Sequence, residues 1–171
     1  DNSAISLNGS EKGALFNVEK KQVMFGEQMF EKVYPASITK IMTALLGCES
    51  LDPSQKIAMT ASAARSITET NSSSIYADTD EEFTIEQALM AVMLQSANEM
   101  TLAVAELTSG STKKFVEQMN LKARQLGCTN THFNNPNGLP DEIHYTTASD
   151  MAKIARAAWF NTTFRKFASI K

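Results

Sequence analysis

The apolar positions of this chain fall into two periodicities. Ala14-Leu15-Phe16-Asn17-Val18 and Gln22-Val23-Met24-Phe25 are short β-rich runs separated by the polar Glu19-Lys20-Lys21. They predict a hairpin within residues 14–34. Pro35 marks its end, because the residue before a proline leaves helical space. From Ala36 the period lengthens. Ile41, Leu45 and Cys48 recur at helical spacing, Met42 and Leu46 widen the apolar face, and Asp52-Pro53 closes the helix. Thr60 predicts the cap of a short helix over residues 61–64, and the polar stretch from Thr68 to Asp80 reads as loop. Thr84 with Gln87 forms a capping box, and the helix it opens carries Ile85, Ala88, Leu89, Val92 and Met93 on one side. A break at Gln95-Ser96-Ala97-Asn98 separates it from a second apolar helix, Met100 to Leu107, ended by Gly110. Ser111 caps a helix with Phe115, Met119 and Leu126 facing inward, ended by Gly127. Asn134 to Pro140 is turn chemistry, and Thr147 with Asp150 opens a last helix through Ala158. Asn161 to Lys171 offers little further strand.

The pattern predicts an α+β fold of about five helices with a small antiparallel sheet. A lone two-stranded hairpin is marginal in water. Either the domain is nearly all helical, or the rest of its sheet lies outside this sequence. The length of 171 residues fits one domain, or most of one. With 43% hydrophobic and 20% charged residues, the composition excludes a disordered tail and a coiled coil. The longest unbroken apolar run, Ala88 to Leu94, is far short of the roughly 20 residues that cross a bilayer.

The net charge is −3 and the pI about 5.4, with Lys and Arg scattered. No nucleic-acid footprint follows, and no anionic-membrane patch. Cys48 and Cys128 imply no disulfide scaffold, and Cys48, in an apolar helical run, reads as a buried small side chain. His132 and His144 form no ligand cluster, so neither a metal nor another cofactor is expected. The polar opening Asp1-Asn2-Ser3 is not that of a signal peptide.

The candidate chemistry begins at Ser37-Ile38-Thr39-Lys40. Residues three apart on a helix share a face, so the hydroxyl and the amine can meet. A serine is a poor nucleophile until a base takes its proton. A lysine becomes that base when desolvation lowers its pKa, and a helix N-terminus favours an oxyanion. The pattern alone is weak: 16 serines and 12 lysines predict about one Ser-x-x-Lys by chance. The second instance, Ser111 with Lys114, lies in a polar run and reads as a helix cap with a solvated lysine. Ser37 instead opens an apolar helix, where a snorkelling lysine is the alternative to a catalytic one. Ser96-Ala97-Asn98 sits between two apolar helices. In an extended loop its hydroxyl and amide point to the same side, able to relay a proton and bind a carbonyl; helix capping is the alternative.

Taken together these segments resemble a family. Tyr34-Pro35-Ala36-Ser37-Ile38-Thr39-Lys40-Ile41-Met42-Thr43-Ala44 is similar to the active-site helix of penicillin-binding D-alanyl-D-alanine carboxypeptidases. Glu82 to Leu89, leading to Met93-Leu94-Gln95-Ser96-Ala97-Asn98, is similar to the segment that carries that family's second motif. Leu126 to Phe133, Asn135 to Pro140 and His144 to Ala152 follow in the same order. The likeness runs from about Ala14 to Phe167.

The resemblance implies a serine DD-peptidase acting on peptidoglycan stem peptides outside the bacterial cytoplasmic membrane, with an export signal already removed. Ser37 would be the nucleophile and Lys40 its general base. Ser96 would pass the proton to the leaving D-alanine, and Asn98 would hold Lys40 and the substrate amide. β-Lactams would acylate Ser37. One element departs from the pattern: no Lys-Thr-Gly or Lys-Ser-Gly occurs. Residues 1–171 are therefore expected to be the front part of a longer catalytic domain. Its missing strand would come from the same protein, a complementing C-terminal fragment or a neighbour, and the isolated chain would be weak or inactive. Two alternatives stand beside this reading. One is a class A β-lactamase-like hydrolase, although Ala97 replaces the expected Asp and no acidic loop is recognisable. The other is a cell-wall peptide-binding or regulatory module without chemistry.

Overall fold

The computed structural model describes residues 7–170; the opening Asp1-Asn2-Ser3 and Lys171 lie outside them. Strands β1 (Gly13–Asn17) and β2 (Gln22–Glu27) pair antiparallel. Leu15 lies opposite Phe25 and Phe16 opposite Val23, so Met24 is an extra, bulged residue. A single 3-10 turn over Ala36–Thr39 then leads into α1 (Lys40–Ser50). The remaining elements are β3 (Lys56–Ala58), α2 (Ala61–Thr70), β4 (Glu82–Thr84), α3 (Ile85–Leu94), α4 (Asn98–Ser109), α5 (Thr112–Gln125), α6 (Ala148–Phe160) and α7 (Thr162–Ala168). The α+β class is as expected, with two small antiparallel sheets, β1-β2 and β3-β4.

Helix α1 is the centre of the core. Residues 42–47 are buried on every side of it, the signature of a helix enclosed by others. It packs against α3, α4, α5, α6 and α7. Gly47 permits the closest approach. A Cβ there would lie 3.0 Å from Leu89 Cδ2 on α3 and 3.3 Å from Val104 Cγ1 on α4. The hairpin lies apart from this core, on α6. Arg156 Nε donates to the Val18 carbonyl at 2.6 Å, and Ser149 N to the Met29 carbonyl at 2.9 Å.

Four elements differ from the expectation. Helix α2 continues to Thr70, where Asn71 ends it in the left-handed region (φ 46°). Only Ala63 and Ile67 are buried along it, so its mostly polar sequence reads as loop. Strands β3 and β4 have three residues each, too few to display an alternating pattern. Helix α7 buries Phe164 and Phe167 and is capped by the Asn161 side chain, which accepts from Phe164 N at 3.0 Å. The expected capping box at Thr84 and Gln87 is present in both directions.

Candidate active site

The site is built first from a turn. Pro35 is followed by Ala36 in the left-handed region (φ 49°), and the next residues wind as a 3-10 turn. In that geometry residues i and i+3 eclipse one another, which stacks Ser37 over Lys40. Ser37 is exposed, while Lys40 is only 3% exposed. Lys40 Nζ lies 3.3 Å from Ser37 Oγ and donates to the backbone carbonyl of Asn137 at 2.9 Å. Burial pulls the amine from 10.5 down to about 8, against the opposing pull of the Glu99 carboxylate. At pH 7 this raises the neutral fraction roughly 300-fold. With Asn137 fixing one N–H, the lone pair of the neutral amine is free to take the proton of Ser37 Oγ.

The carbonyl that orients Lys40 belongs to a loop of residues 134–138 pressed against the turn. Asn135 Oδ1 accepts from Gly138 N at 2.7 Å and Leu139 N at 3.1 Å, closing the loop on itself. Thr43 Oγ1 donates to the Pro136 carbonyl at 2.6 Å. Gly138 is left-handed (φ 84°), and a Cβ on it would stand 1.8 Å from the Ala36 carbonyl oxygen. Only glycine allows that approach. Beside this contact a cleft of about 380 Å³ is lined by Tyr34, Ala36, Leu139, Pro140, Asp141 and His144.

The second motif forms a tight corner between α3 and α4. Ser96 is left-handed (φ 55°), Ala97 is extended and buried, and Asn98 is already the first residue of α4. The expected extended loop is therefore a left-handed turn entering a helix two residues early. Ser96 Oγ and Asn98 Oδ1 are buried and unpartnered, as is Glu99 Oε2. Only one other buried side-chain polar atom among the described residues, Ser109 Oγ, shares that condition. Such atoms are rare in folded proteins, so their concentration marks the corner as a place with unspent acceptors. The corner is pinned from outside: Asn98 N donates to the Ser73 carbonyl at 2.9 Å, and Glu99 Oε1 accepts from Ser74 Oγ and Ile75 N, both at 2.7 Å. Ser37 and Lys40 thus meet directly. Ser96 and Asn98 share one corner but form no hydrogen bond with either of them.

The other candidates behave as bland residues. Ser111 Oγ accepts from Lys114 N at 3.3 Å as an N-cap, with Lys114 exposed. Cys48 and Cys128 are free thiols, both pushed up to about 12, chiefly by burial. Among the described residues no three His, Cys, Asp or Glu side chains cluster to hold a metal, and no helix is long and apolar enough to cross a membrane.

Residues 10–170 match the sequence profile of the D-alanyl-D-alanine carboxypeptidase family. The chain belongs to that family. It is 35% identical over 159 residues to the D-alanyl-D-alanine carboxypeptidase DacF of Bacillus subtilis, covering 92% of this chain and 41% of that protein. It is 33% identical over 135 residues to DacC of Escherichia coli, covering 74% of this chain and 34% of that one. Among solved structures, the carboxypeptidase DacD of Francisella tularensis superimposes with a TM-score of 0.87 at 30% identity, over 96% of this chain and 40% of that one. The Streptomyces K15 DD-transpeptidase gives 0.85 at 29% identity, over 91% and 62%. The chain spans less than half the length of these two curated relatives.

Several residues of this carboxypeptidase-family site carry no role in the sequence reading. The Asn137 carbonyl is main chain, so no residue type announces it. Glu99 follows Asn98 directly and reads as an ordinary acidic residue in the first turn of a helix. Thr39 and His144, hydrogen-bonded to each other at 2.8 Å, lie 105 positions apart in the chain.

Proposed function

We propose that this chain is the front part of the catalytic domain of a serine-type D-Ala-D-Ala carboxypeptidase. Its substrates are peptidoglycan stem peptides, met outside the bacterial cytoplasmic membrane. The observation that carries this reading is the buried Lys40 amine, held 3.3 Å from Ser37 Oγ and lowered to about 8. Family membership supports the choice of substrate.

In this reading neutral Lys40 takes the Ser37 proton as Oγ attacks the carbonyl between two D-alanines. The C–N bond then breaks, Ser96 gives its proton to the departing amine and is reprotonated from Lys40, and an ester on Ser37 remains. Asn98 binds the substrate amide through its side chain. Water hydrolyses the ester, frees the shortened peptide and returns the proton to Ser37. A β-lactam follows the same first step. Its departing nitrogen stays tethered to the acyl group, so the adduct persists.

An oxyanion hole needs two donors, and the Ser37 N–H is one. The second, with the groups that grip the substrate carboxylate, belongs in this reading to a Lys-Thr-Gly-type strand beside the hairpin. Losing one such donor lowers the rate roughly 10²–10³-fold, and losing orientation lowers it further. The 171-residue chain alone is therefore expected to be weak or inactive.

The test is intact-protein mass spectrometry with a penicillin. The expected result is a one-to-one adduct on Ser37 in a longer chain carrying that strand. Ser37→Ala abolishes it, and the 171-residue chain reacts slowly or not at all. No adduct on either chain sinks the catalytic reading in favour of a peptide-binding module. Rapid turnover of the drug favours a β-lactamase-like hydrolase.

A further inference from the structure

His144 is buried, at 2% exposure, and nothing in the proposed chemistry uses it. Its surroundings define its protonation. Nδ1 faces two backbone donors, Asn134 N at 3.0 Å and Asn135 N at 3.4 Å, and accepts from both. That nitrogen carries no proton, so the neutral ring carries its proton on Nε2. Nε2 lies 2.8 Å from Thr39 Oγ1 and donates to it. Burial lowers the imidazole below its ordinary value and favours the neutral form, with Asp141 pulling the other way and His132 adding slightly to the lowering. Phe133 packs a tilted ring 5.6 Å from the imidazole.

One ring therefore joins two segments that the chain keeps far apart. On one side it holds the start of the 134–138 loop, whose Asn137 carbonyl receives the Lys40 amine. On the other it holds Thr39, the residue immediately before Lys40. Removing the ring's acceptor would leave the Asn134 and Asn135 N–H groups without the partner they share. The loop would move to satisfy them with water.

We propose that His144 is a positioning residue for the general base: in its Nε2–H form it pegs the 134–138 loop to Thr39, and so keeps the Asn137 carbonyl where Lys40 Nζ meets both it and Ser37 Oγ. The proposal rests on the reading of Lys40 as that base. A merely structural histidine would change stability when replaced and leave the lysine alone. A positioning histidine changes the proton affinity of Lys40, because a displaced loop lets water reach the amine.

The experiment reads Lys40 directly in the 171-residue chain, by NMR titration of 13C-labelled lysine side chains, and needs no turnover. The expected wild-type midpoint is near 8, with the histidine 15N spectrum showing the Nε2–H tautomer. His144→Phe keeps a ring and removes all three hydrogen bonds, and is expected to raise the Lys40 midpoint by about 1 pH unit or more, a tenfold loss of neutral amine at pH 7. Thr39→Val keeps shape and removes the acceptor, and is expected to raise it as well; Thr39→Ser restores the wild-type value. If His144→Phe does not fold, the Thr39 pair decides. A wild-type midpoint near 10.5 overturns the reading of Lys40 as base, whatever His144 does. A wild-type midpoint near 8 that His144→Phe and Thr39→Val leave unmoved overturns the role of His144 alone, as does a ring protonated on Nδ1.

Discussion

Burying Lys40 works against the fold. An unfolded lysine holds its proton up to about 10.5, whereas this one releases it near 8. Between those values the unfolded chain binds more protons than the folded one, so stability rises with pH across that window. Below pH 8 the whole penalty is present, about 3 kcal/mol at most by the size of the shift. Lys40→Met is therefore expected to stabilise the chain against urea at pH 7, by less than that ceiling because the bond to Asn137 is lost too. Its advantage should shrink as the pH is raised from 8 toward 10.5. Equal urea midpoints at pH 7, or an advantage that grows with pH, would contradict the assigned burial. The same substitution is expected to abolish acylation of Ser37, which makes Lys40 a residue where stability is given up for chemistry.

At the scale of elements, the contact between the Ala36–Thr39 turn and the 134–138 loop leaves no room for a side chain at Gly138. Gly138→Ala meets both a left-handed backbone and the Ala36 carbonyl. The backbone strain alone is worth about 1–3 kcal/mol, and the loop must also back away. We expect a lower urea midpoint together with a raised Lys40 titration midpoint; a variant with neither change would mean that the loop does not press on the turn. How far such features are legible in sequence depends on their physical origin. The caps at Thr60, Thr84, Ser111 and Thr147 are local side-chain bonds, so the sequence displays them. The Ser37–Lys40 pair is visible for the same reason, three residues apart on one turn. Strands β3 and β4 are not, because three residues carry no period. Nor are the Asn137 carbonyl and the His144 peg, which exist only once residues about a hundred positions apart meet. Ser96 and Asn98 were legible as a pair, but the left-handed corner that presents them was not, since serine rarely adopts that conformation.

The whole molecule divides into a dense helical core around α1 and a hairpin laid on α6 with exposed apolar side chains, among them Leu15, Val23 and Met24. Hydrogen exchange is expected to follow that division. Amides of α1 should open only with global unfolding, while those of β1 and β2 exchange at lower free energy; uniform protection would show that the hairpin belongs to the same cooperative unit. A longer chain that supplies further strands should slow exchange in the hairpin and raise acylation of Ser37 together, since both depend on the same sheet. The bond from Lys40 to Asn137 also sets an order of events during synthesis. The two residues are 97 positions apart. At ~5–20 residues per second, a growing chain carries Ser37 beside an ordinary, protonated lysine for ~5–20 s before the carbonyl that orients the amine has been made. In the proposed reading the nucleophile emerges early and is armed late, so an unfinished chain is expected to form no acyl adduct with a β-lactam.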